Sequence, residues 1–147
     1  ELAAAYLYTT NYCYLQVNRA IRQATLESRT CDQFEYYIFV LCTVTFKLSL
    51  HSSKPSTVFF GLRVTPTDGL GVGRKVVFKS FRSTTRRREV AEHFAKGNSL
   101  WVVDGLPSRA ADLAKISDYD EDEVLLYPCT QFVVTKITSG SPMVIHV

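Results

Sequence analysis

The chain has 147 residues, 46% of them hydrophobic and 21% charged, with 7 glycines and 5 prolines. That composition excludes wholesale disorder, collagen-like repeats and low complexity, and the length suits one packed core. The 17 basic and 14 acidic side chains leave a net charge of +3, too mild an excess to call for a nucleic-acid partner.

Taken in chain order, apolar residues recur at helical spacing before Pro55. Ala3, Leu7, Tyr14, Val17, Ile21 and Ala24 fall on one face, and Phe34, Tyr37, Ile38, Leu41, Cys42 and Leu48 on another. The spacing predicts two packed helices, about 2–25 and 31–50, joined by the short polar segment Glu27 to Asp32. The second is rich in β-branched and aromatic residues, which leaves a strand as its alternative. No span is present, because the longest uncharged apolar stretch, Tyr36 to Phe46, is well short of the roughly 20 residues that cross a bilayer.

From Ser56 the pattern changes to short Val-, Phe-, Leu- and Ile-rich runs separated by Gly, Pro and Asp. The expected strands are Thr57–Val64, Lys75–Phe81, Ser99–Asp104, Glu123–Tyr127, Gln131–Thr138 and Met143–Val147. One helix, about Arg86–Ala95, interrupts them, with Thr84 or Thr85 as N-cap and Gly97 as stop. A weaker helix or turn is expected at Arg109–Ile116. Gly69, Gly71 and Gly73 read as a mobile loop between strands and not as a dinucleotide fingerprint, because no helix pattern follows. The fold class is therefore α+β: N-terminal helices on a mainly antiparallel, two-part β core. The organisation expected is a single domain over 1–147, helical over 1–54 and β-rich over 55–147. Glu1 in place of Met suggests a fragment of a longer chain or a processed form. The compartment stays open, with a slight preference for the cytoplasm.

Cys13, Cys31, Cys42 and Cys129 form no Cys-x-x-Cys pair, and His51, His93 and His146 are scattered, so no zinc site is expected. The cysteines read as small buried apolar side chains, with two disulfides open if the protein is extracellular.

Three stretches carry candidate chemistry. The acidic run Asp118-Tyr119-Asp120-Glu121-Asp122-Glu123 precedes a strand. Such runs are usually solvated turns, but in an extended segment Glu121 and Glu123 would face one substrate together. Close carboxylates suit stabilising a developing cation and orienting a cationic or hydroxyl nucleophile. Ser83-Thr84-Thr85 supplies hydroxyls at a strand end, beside their plainer reading as helix N-caps. The basic stretch Arg74 to Arg88 holds seven cations and no acid. Three arginines at a helix start oppose the macrodipole, so they suit an anionic partner, beside the commoner reading of a solvated face.

Together and in this order, these stretches resemble the arginine-specific mono-ADP-ribosyltransferase family, with its Arg, Ser-Thr-Ser and Glu-x-Glu signature. Tyr8-Thr9-Thr10-Asn11-Tyr12 and Val17-Asn18-Arg19-Ala20-Ile21-Arg22 are similar to its helical stretch. Thr57-Val58-Phe59-Phe60-Gly61-Leu62 resembles its first core strand, and Phe78-Lys79-Ser80-Phe81-Arg82-Ser83-Thr84-Thr85 the strand of its serine motif. Glu89 to Ala95 is similar to the helix that follows, and Ile116 to Pro128 to the region of the paired glutamates.

The resemblance implies NAD as cofactor and a protein substrate or partner. It implies that Glu123 holds the 2′-hydroxyl of the nicotinamide ribose and stabilises the oxocarbenium-like cation as nicotinamide leaves. Glu121 would orient a target guanidinium, Tyr119 would be the aromatic of the recognition turn, and Ser83 would support Glu123. The Gly61 backbone would bind the nicotinamide amide. Phe60, Thr84 and Thr85 would lie at the cofactor.

Two departures stand out. Phe60 occupies the position where the family has an arginine that contacts NAD, and Thr85 replaces the last serine while keeping a hydroxyl. Strand alternation turns Arg63 away from Phe60, and Arg82 away from Ser83, so neither simply replaces that arginine. Two readings follow. One is an NAD-dependent ADP-ribosyltransferase acting on protein arginine. The other is a pseudoenzyme, a catalytically inactive protein of the same fold with a binding or structural role. A nucleic-acid binder, resting on Arg74–Arg88 alone, ranks last.

Overall fold

The computed structural model describes residues 2–10, 14–24, 34–50, 57–66 and 69–147. The expected helix 2–25 is two helices, α1 (Leu2–Thr9) and α2 (Tyr14–Gln23), so its shared apolar stripe spans two segments. The segment expected as helix 31–50 is α3 (Glu35–Ser49), a helix despite its β-branched residues. Thr43 and Thr45 donate hydroxyl hydrogen bonds to the Phe39 and Leu41 carbonyls one turn back, which satisfies both side chains inside the helix. Cys13, Cys31, His51, the Glu27–Asp32 connection and Pro55 lie outside the described residues.

Strands β1 (Thr57–Leu62), β3 (Arg82–Thr85), β4 (Ser99–Asp104), β5 (Ala111–Asp112), β6 (Glu123–Leu126), β8 (Lys136–Thr138) and β9 (Met143–His146) form one sheet in the order β5-β6-β3-β1-β4-β9-β8. All pairs are antiparallel except β4 with β9. Strands β2 (Lys75–Phe78) and β7 (Thr130–Val133) make a separate antiparallel pair. The α+β class and its two-part β core are thus as expected.

The expected run Gln131–Thr138 breaks into β7 and β8, which join different sheets, and the expected strand Lys75–Phe81 stops at Phe78 as β2 before the chain enters the other sheet at Arg82 as β3. A period-2 apolar pattern continues through such a crossover, because it records burial and not the partner strand. The Arg109–Ile116 region is turns flanking the two-residue β5. Gly69, Gly71 and Gly73 lie between β1 and β2 as expected.

Helix α4 (Arg88–Ala95) starts two residues later than expected. Arg87 is its N-cap, without a side-chain cap bond, so Thr84 and Thr85 are strand residues and not caps. At its other end Lys96 is left-handed (φ 47°), followed by Gly97 at φ 80°.

Two apolar cores hold these layers. Val58, Phe60, Trp101, Val103, Val124 and Leu126 of the large sheet meet Phe132, Val76 and Phe78 of the small one. Ala5, Tyr8, Leu41 and Val44 of the N-terminal helices cover Phe81, Ala111, Leu113 and Leu125 on the other side. Among the described residues no helix is long and apolar enough to cross a membrane. Cys42 and Cys129 carry free thiols.

Candidate active site

Strands β1, β3 and β6 are neighbours, so residues far apart in sequence share one cavity of about 440 Å³. Phe60 and Gly61 reach it from β1, and Ser83, Thr84 and Thr85 from β3. Glu123 reaches it from the start of β6, and Tyr119 and Glu121 from the turn before it. All eight candidate residues therefore line one wall-to-wall space. Tyr8, Thr9 and Tyr14 from the helical side also line it. Sequence reasoning placed the first two only inside a family-like stretch and gave none of the three a site role.

Glu123 is buried at 5% exposure. The Ser83 hydroxyl donates to its Oε1 at 2.5 Å, a charge-assisted bond across the β3–β6 pair. Burial pushes the Glu123 carboxyl above its usual range; hydrogen bonds from Ser83 and Ser117 oppose that, and the charge on Glu121 adds to it. Glu121 is also raised, chiefly by burial, against the pull of Arg87 and His93.

The two carboxylates share the cavity by a route other than strand alternation. Glu121 precedes the strand, in a turn whose Asp122 is left-handed at φ 48°. That turn is pinned by the residues after β3. The Thr85 hydroxyl donates to the Glu121 carbonyl, the Arg86 amide to the Asp122 carbonyl at 3.3 Å, and the Arg87 guanidinium to the Asp120 carbonyl at 2.9 Å. Thr84 donates to the Val124 carbonyl at 2.6 Å. The hydroxyls of Thr84 and Thr85 are thus committed to holding β6 and the turn. Tyr119, at 45% exposure, stands at the rim.

The basic stretch is neither free nor uniformly solvated. Arg86 meets Asp112 at 2.7 Å, Arg87 meets Glu89 at 2.8 Å, and Arg88 meets Glu92 at 2.8 Å one helical turn on. Those carboxylates answer the unfavourable placement of cations at the start of α4.

Phe60 is 4% exposed, its ring stacked on Trp101 (5.6 Å between centroids) and edge-on to Phe78 (5.3 Å). Arg63 and Arg82 both line the cavity, although alternation turns them from Phe60 and Ser83. The long arginine stem carries its head group beyond the face its Cβ points to.

The family model of the NAD:arginine ADP-ribosyltransferases matches residues 1–145. Among curated protein sequences no relative matches. Among solved structures, the Vis toxin, an ADP-ribosyltransferase from Vibrio splendidus, superposes with a TM-score of 0.81 at 23% identity, over 99% of this chain and 70% of that one. The same enzyme is also known in complex with agmatine. Exoenzyme S from Pseudomonas aeruginosa, in complex with human 14-3-3 protein beta and bound to carba-NAD, gives 0.73 at 22% identity, over 99% and 72%. At these identities the likeness is one of fold. The family uses NAD as its substrate. With the family model matching all but the last two residues, the chain is a member of the NAD:arginine ADP-ribosyltransferase family.

Proposed function

We propose that this chain transfers ADP-ribose from NAD to a guanidinium of a protein acceptor. The observation that supports it is the buried Glu123 carboxylate, held by the Ser83 hydroxyl in the wall of a cavity that Glu121 also faces. A cavity of about 440 Å³ with a buried, oriented carboxylate fits a dinucleotide whose ribose hydroxyls need an acceptor. NAD supplies the ADP-ribosyl group: the bond from ribose C1′ to nicotinamide breaks, one from C1′ to a guanidine nitrogen forms, and the guanidine gives up one proton.

Glu123, in its ionised form, accepts a hydrogen bond from the ribose and faces positive charge as it develops at C1′. Ser83 keeps that carboxylate in one orientation. Glu121, nearer solvent, pairs with the incoming guanidinium, and Tyr119 at the rim offers a ring face to the acceptor. Gly61 contributes backbone groups beside the site.

The test uses agmatine, a small guanidine, as acceptor. Glu123→Gln should lower both ADP-ribosyl transfer and NAD hydrolysis by at least a hundred-fold with little change in NAD affinity. Glu121→Gln should abolish transfer and leave hydrolysis. Equal loss of both activities in Glu121→Gln would refute the division between the two carboxylates.

A second reading, a protein of this fold without turnover, is favoured by Phe60, whose packed ring offers no charge to a phosphate. Calorimetry separates the two: no NAD binding at millimolar concentration supports the silent protein.

A further inference from the structure

Arg82 is a largely buried cation that this cavity leaves unanswered. It lines the cavity from β3, and its guanidinium carbon lies 5.3 Å from the centroid of the Phe60 ring and 4.8 Å from that of Phe78. Its Nε is buried without a hydrogen-bond partner. Among the described residues it makes no ion pair, whereas Arg86, Arg87 and Arg88 each meet a carboxylate. The groups that act on its charge are the hydroxyls of Tyr8 and Tyr14 and a second cation, Arg22. Burial, the largest influence, disfavours its charge.

A desolvated guanidinium without an anion is costly to keep, and an anion arriving in the cavity removes that cost. Aromatic rings cover the faces of a guanidinium and leave its edge donors available, the geometry that suits a phosphate. Phe60 in this arrangement is a platform for a cation and not merely the loss of one.

We propose that Arg82 is the phosphate-binding residue of this cavity, carried on β3 in place of the arginine that the family resemblance expects at position 60 of β1. The proposal rests on reading the cavity as a dinucleotide site. It makes the pyrophosphate of NAD the ligand, with free pyrophosphate sharing its chemistry. The departure at Phe60 is then a relocation of charge between adjacent strands.

The experiment is calorimetry on the whole chain with NAD, with inorganic pyrophosphate and with nicotinamide riboside, which carries no phosphate, each at low and high salt. Arg82→Gln should weaken NAD and pyrophosphate binding about ten- to a hundred-fold, the loss of one charged hydrogen-bond donor. It should leave riboside binding unchanged and flatten the salt dependence. Arg82→Lys, which keeps the charge but not the planar fork of donors, should fall between, and it carries the test if Arg82→Gln melts early. Unchanged NAD and pyrophosphate affinity in both variants overturns the proposal. So does an equal loss for riboside, which marks a structural role. Arg82-dependent binding of pyrophosphate without binding of NAD keeps the anion site and sinks the dinucleotide reading. Binding of neither by the unmodified chain overturns both.

Discussion

A Cβ built on Gly61 falls 2.1 Å from the carbonyl oxygen of Ala91, so β1 and α4 touch backbone to backbone at this point. The Ala95 amide nitrogen lies 2.3 Å from the same position. Both neighbours are main chain and cannot turn aside. Gly61→Ala is therefore expected to cost about 3 kcal/mol, the upper end of ordinary overpacking. Denaturant unfolding measures it. Ligand binding should weaken with it, because Val90, Ala91 and Phe94 of α4 line the cavity as well.

In the proposed reaction Glu123 sets the acid limb of activity. Burial raises its carboxyl above the ordinary value of 4.5, and only the ionised form is competent, so activity should fall as pH drops through a midpoint above 4.5. Ser83→Ala removes a hydrogen bond to the charged form and should move that midpoint further up. Glu121→Gln removes a like charge and should move the hydrolysis midpoint down. In stability the sign runs the same way. A carboxyl raised in the folded state stabilises most below its unfolded value, and that contribution is lost as pH rises through the folded value. Glu123→Gln should thus melt higher than the native chain at pH 7 while losing activity. A rate profile and thermal melts across pH 4 to 8 check both.

Phe60→Arg is expected to destabilise by about 3 kcal/mol or more, since it buries a second guanidinium beside that of Arg82 and removes a ring from the Trp101 stack. The double variant with Arg82→Thr should recover part of that loss. A coupling below about 0.5 kcal/mol in the double-mutant cycle would mean the two positions do not sense each other.

Asp112 ties β5 to the start of α4. Burial pushes its carboxyl up, but the Arg86 hydrogen bond and the Ala114 amide outweigh that and hold it below 3.8. Arg86→Ala should cost about 1 kcal/mol at pH 7, a modest figure for a partly exposed pair. The pair's contribution is present above 3.8 and lost as pH falls through the lower folded value. The difference in melting temperature between variant and parent should therefore shrink toward pH 2.

Much of this architecture was legible in the sequence. Ser99–Asp104 emerged with its bounds intact, because an apolar run between Asn98 and Gly105 leaves little choice. The division of the first helix and of the Gln131–Thr138 run was hidden, since burial pattern alone does not say where a chain changes partner. Residue type, spacing and resemblance singled out Glu121, Glu123 and Ser83, which share one cavity. What pins them was not: Thr85 looks like a helix cap in sequence, yet its hydroxyl reaches the carbonyl of a turn 36 residues away. Arg82 was set aside by strand alternation, a rule for the direction of Cβ that a long side chain escapes.

The register of β3 against β6 also governs how the protein opens. Ser83 and Glu123 are 40 residues apart, so their bond forms only after a long loop has closed. Outside β6 the sheet ends in β5, two residues long. Opening that short edge and then β6 removes Glu123 and the turn carrying Glu121 and Tyr119 in one event. The amides of Glu123 to Leu126 should consequently exchange with solvent as a group, and a bound dinucleotide should slow them together.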